Sequence, residues 1–123
     1  MNPKSIVFIA ASMLASLASA EDLKPGQYQG AVRFSADKTL DIKLEIVSVE
    51  GDAVKAIETF EGDRHFTCLG RYEVAGQFDG KVLTLPPHPG SDSPQCGGMT
   101  PEYADGTLSG TYWKKPYVLK LKQ

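Results

Sequence analysis

Leu40, Ile42, Leu44 and Ile46 alternate with Asp41, Lys43 and Glu45. Successive residues of an extended chain point to opposite faces, so a strict period of two puts all four apolar side chains on one side of a half-buried strand. Such a strand needs partners with a matching alternation, and the rest of the chain supplies them. Residues 26–34 alternate with Tyr28, Val32 and Phe34 on one side, and residues 53–61 carry Ile57 and Phe60 as their larger apolar groups. Phe66, Cys68, Tyr72 and Val74 are expected on one face of a further strand, with Gly70 between them.

Turn chemistry separates these runs. Glu50-Gly51-Asp52 and Glu61-Gly62-Asp63 read as turns, and Asp79-Gly80 gives a tight hairpin signal ahead of residues 81–85. Asp105-Gly106 leads into residues 107–113, and Lys114-Lys115-Pro116 separates these from a last strand over 117–122. The alternation breaks at Val47, Ser48 and Val49, where a bulge is expected. Helical periodicity is nearly absent after Ala20. The count is seven strands, or eight if part of 91–103 is extended. The fold class this predicts is all-β, an antiparallel up-and-down meander. Closing that meander into a small closed or nearly closed barrel removes the unpaired edges.

The first residues read as an address rather than as structure. Lys4 gives a short basic start, residues 5–17 are mostly apolar, and Ala18-Ser19-Ala20 places small residues where a signal peptidase acts. The apolar run is shorter than the roughly 20 residues that a bilayer span requires. Residues 1–20 are therefore expected to be a signal peptide and 21–123 a single β domain, periplasmic or secreted. Cleavage after Ala20 removes one lysine and no acid, which takes the formal charge from -2 to -3. A negative balance argues against a nucleic-acid partner, which calls for a basic excess. The charge is uneven, however: Lys114, Lys115, Lys120 and Lys122 lie in residues 106–123, where no acid occurs.

Cys68 and Cys96 are the two cysteines. In an exported chain an even pair is most simply a disulfide, and closing that loop is worth about 3 to 4 kcal/mol in the chain-entropy account. Neither has a partner at Cys-x-x-Cys spacing, so zinc and redox motifs are not expected.

Residues 86–105 carry Pro86, Pro87, Pro89, Pro94 and Pro101, five of the eight prolines in the chain. Proline has no N–H to give to a ladder, so much of this stretch is expected as a loop, pinned in its middle by the bridge. Long loops in compact domains are usually functional or disordered, and prolines lower the entropy lost on binding, so the loop is expected either to contact a partner or to serve as a lid that covers one barrel end. His88, Asp92, Met99 and Tyr103 are the expected partner-contacting residues, with Trp113 and the C-terminal lysines as a second surface. His88 lacks the companions a metal site demands, so no metal and no cofactor are expected. At the 63–65 turn, with Glu58 and Glu61 close in sequence to His65, a local salt-bridged turn is the expected reading, and a histidine titrating near neutrality beside an acid is the alternative.

The Gly26-x-Tyr28-x-Gly30 opening and the Gly106-Thr107-Leu108-Ser109-Gly110-Thr111-Tyr112-Trp113 closing strand resemble those of small calycins, the lipocalin and avidin-like barrels. The resemblance implies the barrel architecture. It departs from the lipocalin pattern at Tyr28, where that family has tryptophan, and it carries over no functional residue.

Catalytic patterns are missing from the sequence. There is no Gly-x-Ser-x-Gly elbow, no glycine-rich phosphate loop opening a helix, and bridged cysteines are not nucleophiles. The expectation is a non-catalytic exported binding module, such as an inhibitor or neutraliser, acting by protein–protein contact through the proline-rich loop. The alternative is a carrier of a small apolar ligand, with Tyr28, Phe34, Leu44, Phe66, Tyr72 and Tyr112 lining the interior. A barrel of about eight strands has just room for packed side chains or one small ligand. A hydrolase with paired acids ranks below both.

Overall fold

The computed structural model describes residues 22–63, 66, 68–87 and 96–122. The expected leader, His65, His88 and Asp92 lie outside the described residues. Eight strands follow one another: β1 (Gly26–Ser35), β2 (Lys38–Glu50), β3 (Ala53–Gly62), β4 (Gly70–Phe78), β5 (Leu83–Thr84), β6 (Glu102–Ala104), β7 (Thr107–Tyr112) and β8 (Lys115–Leu121). All pairings are antiparallel, in the order β5-β4-β3-β2-β1-β8-β7-β6. The fold is therefore an up-and-down meander in which β1 pairs with both β2 and β8. Tyr28 lies opposite Leu44 on one side and Leu121 on the other.

The remaining seam, between β5 and β6, is joined by short-range backbone bonds. Val82 bridges to Glu102 and Leu85 to Met99. Leu85 and Met99 exchange both N–H···O bonds, at 2.8 and 3.0 Å, and Leu83 N–H reaches Pro101 O at 2.9 Å. The result is a nearly closed eight-stranded barrel.

Inside it, the expected alternation becomes one continuous core. Leu40, Ile42, Leu44 and Ile46 of β2 face Val54, Ala56 and Phe60 of β3, Val74 and Phe78 of β4, Leu83, Leu108, Tyr117 and Leu119. Two glycines allow strands to approach at the barrel's corners. A Cβ on Gly30 would lie 2.1 Å from Val118 O, and one on Gly76 would lie 2.4 Å from Thr84 O.

Differences from the sequence expectation have local causes. Phe66 N–H donates to Asp63 O at 3.0 Å. That bond draws Phe66 back to Asp63, and β4 begins only at Gly70, so Phe66 and Cys68 precede it instead of lying in it. After β4 the hairpin is four residues wide, because Asp79 Oδ1 accepts from the N–H of Lys81 at 2.9 Å and of Val82 at 2.7 Å. The short β6, Glu102–Ala104, supplies the eighth strand. β8 starts at Lys115, since the turn before it is only two residues and Lys115 already pairs with Tyr112. The expected irregularity in β2 is present: the register shifts between Ile46 and Ser48, and Val47 is left exposed on the outer wall.

Candidate functional site

The two ends of the barrel are built from different materials. One end gathers the β1–β2, β3–β4 and β7–β8 connections with the segment around Cys96. The other holds the chain entry and the turns at Gly51, Asp79 and Asp105.

At the first end, Cys68 and Cys96 form the expected disulfide across a separation of 28 residues, with Cα atoms 5.4 Å apart. Both are buried, and so is Gly97 beside them. Gly97 N–H donates to Tyr112 Oη at 3.2 Å, which ties the bridge to the last residue of β7. The Tyr112 ring stacks on Phe60, 5.7 Å between centroids and 11° between planes. Tyr72 Oη donates to Leu69 O at 2.8 Å, and Phe34 lies against Phe66 with centroids 5.2 Å apart.

Beneath these rings lies Glu58, with 0% exposure. In β3 it has the phase of Val54, Ala56 and Phe60, so the strand turns it inward. Its pairing neighbours are Leu44 on β2 and Tyr72 on β4. Burial raises its carboxyl from about 4.5 to about 8, so the folded chain holds it protonated at neutral pH. Burial also raises Tyr112 and Tyr117, and the charge that Glu58 would carry on ionising raises both further. Glu61, three residues on, is exposed and lies 3.4 Å from Lys43 Nζ. The two acids expected beside His65 thus part company, one into the core and one onto the wall.

Next to this cluster is the β7–β8 turn. Trp113 and Lys114 have φ of 52° and 67°, the left-handed pair of a type I′ hairpin. Glycine and asparagine fill such positions cheaply, whereas a bulky side chain there costs about 1–2 kcal/mol. Trp113 is also 48% exposed. Its ring lies 6.4 Å from that of Tyr112, so it stands at the rim of the bridged end.

Of the residues expected to meet a partner, Met99 and Tyr103 are core residues. Met99 is a seam residue that exchanges backbone bonds with Leu85, and Tyr103 packs edge-on against Tyr28 and Phe78. Their positions in the seam and in β6 turn both side chains inward, at 2% and 4% exposure. Of the residues expected inside, Tyr28, Leu44 and Tyr112 are buried, while Phe34, Phe66 and Tyr72 are half-buried and pack over the core. Sequence reasoning missed the inward Glu58, although the phase of β3 carried the signal. It also missed the strain at Trp113, which shows in the two-residue gap between β7 and β8.

Among the described residues, no three of His, Cys, Asp and Glu gather into a group that could hold a metal, and no helix is long and apolar enough to cross a membrane. No family model matches the chain, and no curated protein or solved structure matches it either.

Proposed function

We propose that the chain is an exported, non-catalytic binding module of calycin-like build, acting by protein–protein contact through the bridged end of its barrel. An inhibitor or neutraliser of another protein is the type of role meant. The observation that carries this reading is Trp113, a half-exposed tryptophan kept in a left-handed turn at the rim where the disulfide pins the proline-rich segment. Strain at an exposed position points to function, because folding alone favours a cheaper residue there. Tryptophan is also the residue type most enriched among interface hot spots. The leader-like N-terminus and the disulfide support export.

The test is capture by the immobilised mature chain from an envelope and secreted-protein extract of its source cells. Trp113→Asn, which accepts the left-handed conformation, should reduce the captured protein about tenfold with no loss of thermal stability. Capture unaffected by Trp113→Asn would remove the bridged end from consideration. A small apolar molecule seen on the purified protein by native mass spectrometry would move the function to the interior.

A further inference from the structure

The barrel turns a linear charge bias into a continuous face. Residues 106–123 hold four lysines and no acid. In the sheet, β8 lies between β7 and β1, and β1 (Gly26–Ser35) also contains no acid. Three adjacent strands therefore form one wall without a carboxylate, with Arg33, Lys115 and Lys120 on them and Lys114 and Lys122 at their ends. The opposite wall is different: Asp41, Glu45, Glu61 and Glu73 are exposed on β2, β3 and β4 among Lys43, Lys55 and Arg71.

The acid-free wall also exposes apolar groups. Trp113 is 48% and Val118 47% exposed, two of the three large apolar residues most open to solvent among the described residues. Val118 lies opposite Ser109, and Lys120 is flanked by Thr107 on β7 and Gln29 on β1. The wall is thus an aromatic anchor and a valine set among uncharged hydrogen-bonding residues, with cations along its length. Polyanions such as glycans would use the lysines but gain nothing from Val118. A membrane met end-on would take Trp113 but leave Val118 about 15 Å behind on the barrel wall, at ~3.3 Å per residue. A protein surface uses all three kinds of group.

Resting on the contact reading above, we propose that the β1–β8–β7 wall, with Trp113 as its anchor, docks an acidic protein surface. The partner presents carboxylates to Lys114, Lys115 and Lys120 and an apolar recess to Trp113.

Trp113 is the only tryptophan, so its emission reports the wall directly. The probe is poly-L-glutamate, titrated into the mature chain at low salt, with heparin and phosphatidylglycerol-containing vesicles at matched charge as parallel arms. The expected result is a saturable change in Trp113 emission with poly-L-glutamate that weakens as salt rises. A Lys114→Ala/Lys120→Ala variant should bind it about tenfold more weakly, while Lys55→Ala on the opposite wall should not differ from wild type. No response, a salt-insensitive response, an equal loss with Lys55→Ala, or tighter binding to heparin or vesicles would overturn the proposal. If Trp113→Asn loses the captured protein while poly-L-glutamate fails to bind, the acidic partner falls and the contact reading stands. If poly-L-glutamate binds as expected while capture ignores Trp113, the contact reading falls and the acid-binding wall stands.

Discussion

The far end of the barrel obeys the local rules of β structure, and the bridged end breaks them. At the far end, Gly51 has φ of 64° at the first position of its turn, and Asp105-Gly106, at 48° and 77°, is a preferred pair for a type I′ hairpin. The interior there is apolar and aromatic: Tyr28, Phe78 and Tyr103 meet edge-on, and Tyr28 Oη donates to Lys24 O at 2.7 Å. At the bridged end an acid is buried, a covalent link replaces sheet pairing, and a tryptophan–lysine pair occupies the same type of turn. Sequences that specify a fold satisfy its rules at every level, and departures concentrate where function competes. The contrast supports the proposal that contact is made at the bridged end.

The sharpest way to break the comparison is to remove the link. Cys68→Ala with Cys96→Ala should cost about 3 to 4 kcal/mol in urea unfolding, the value of closing a loop of this length. Amide exchange should then rise at Leu69, Gly97 and Gly98 ahead of the turns at Gly51 and Gly106. Equal loosening at both ends would show that the bridge stabilises the whole barrel without distinguishing its ends.

Glu58 gives the next largest effect. Its carboxyl titrates near 4.5 when unfolded and near 8 when folded, so the unfolded chain ionises first. The folded state binds more protons between these values, and stability falls as pH rises through that window, by up to about 1.4 kcal/mol per unit. Below pH 4.5 the effect of this group is fully favourable, and above pH 8 it changes no further. From pH 5 to 8 the loss should reach about 3 kcal/mol in wild type and be absent in Glu58→Gln. Parallel pH profiles for the two proteins would mean that Glu58 is not held protonated.

How far these features are legible in the sequence follows from the range of the interactions. Alternation is local, so the strands over 26–34, 40–46 and 53–61 stand close to their structural bounds. The bulge at Val47 and the Asp105-Gly106 turn are local as well. Phe66 and Cys68 keep an alternating pattern yet lie ahead of β4, because the deciding contact is a backbone bond from Phe66 to Asp63 that the pattern does not encode. Met99 and Tyr103 read as loop residues because prolines surround them, but the seam with residues 81–85 takes them into the core. Glu58 is legible in phase and illegible in consequence: its burial depends on rings from β4, β7 and β8. The acid-free wall needs the closure of β1 onto β8, which joins the two ends of the sequence.

The smallest effect is the most discriminating, because it opposes stability to binding within a single turn. Replacing Trp113 and Lys114 with the Asn-Gly pair that a type I′ turn prefers should relieve the left-handed strain at both positions. Trp113 is half-exposed, so little burial is lost, and the expected gain is about 1–2 kcal/mol, read as a rise in Tm. Placing Trp-Lys at Asp105-Gly106 should cost a similar amount, since the backbone there is the same. If both exchanges behave so, the two turns are equivalent in conformation and differ only in what they present to solvent. The stabilised variant should then be the one that loses its partner, which is the trade expected where a strained residue is kept for contact. A destabilised Asn-Gly variant would mean that Trp113 packs for the fold, and the difference between the ends would reduce to the bridge and Glu58.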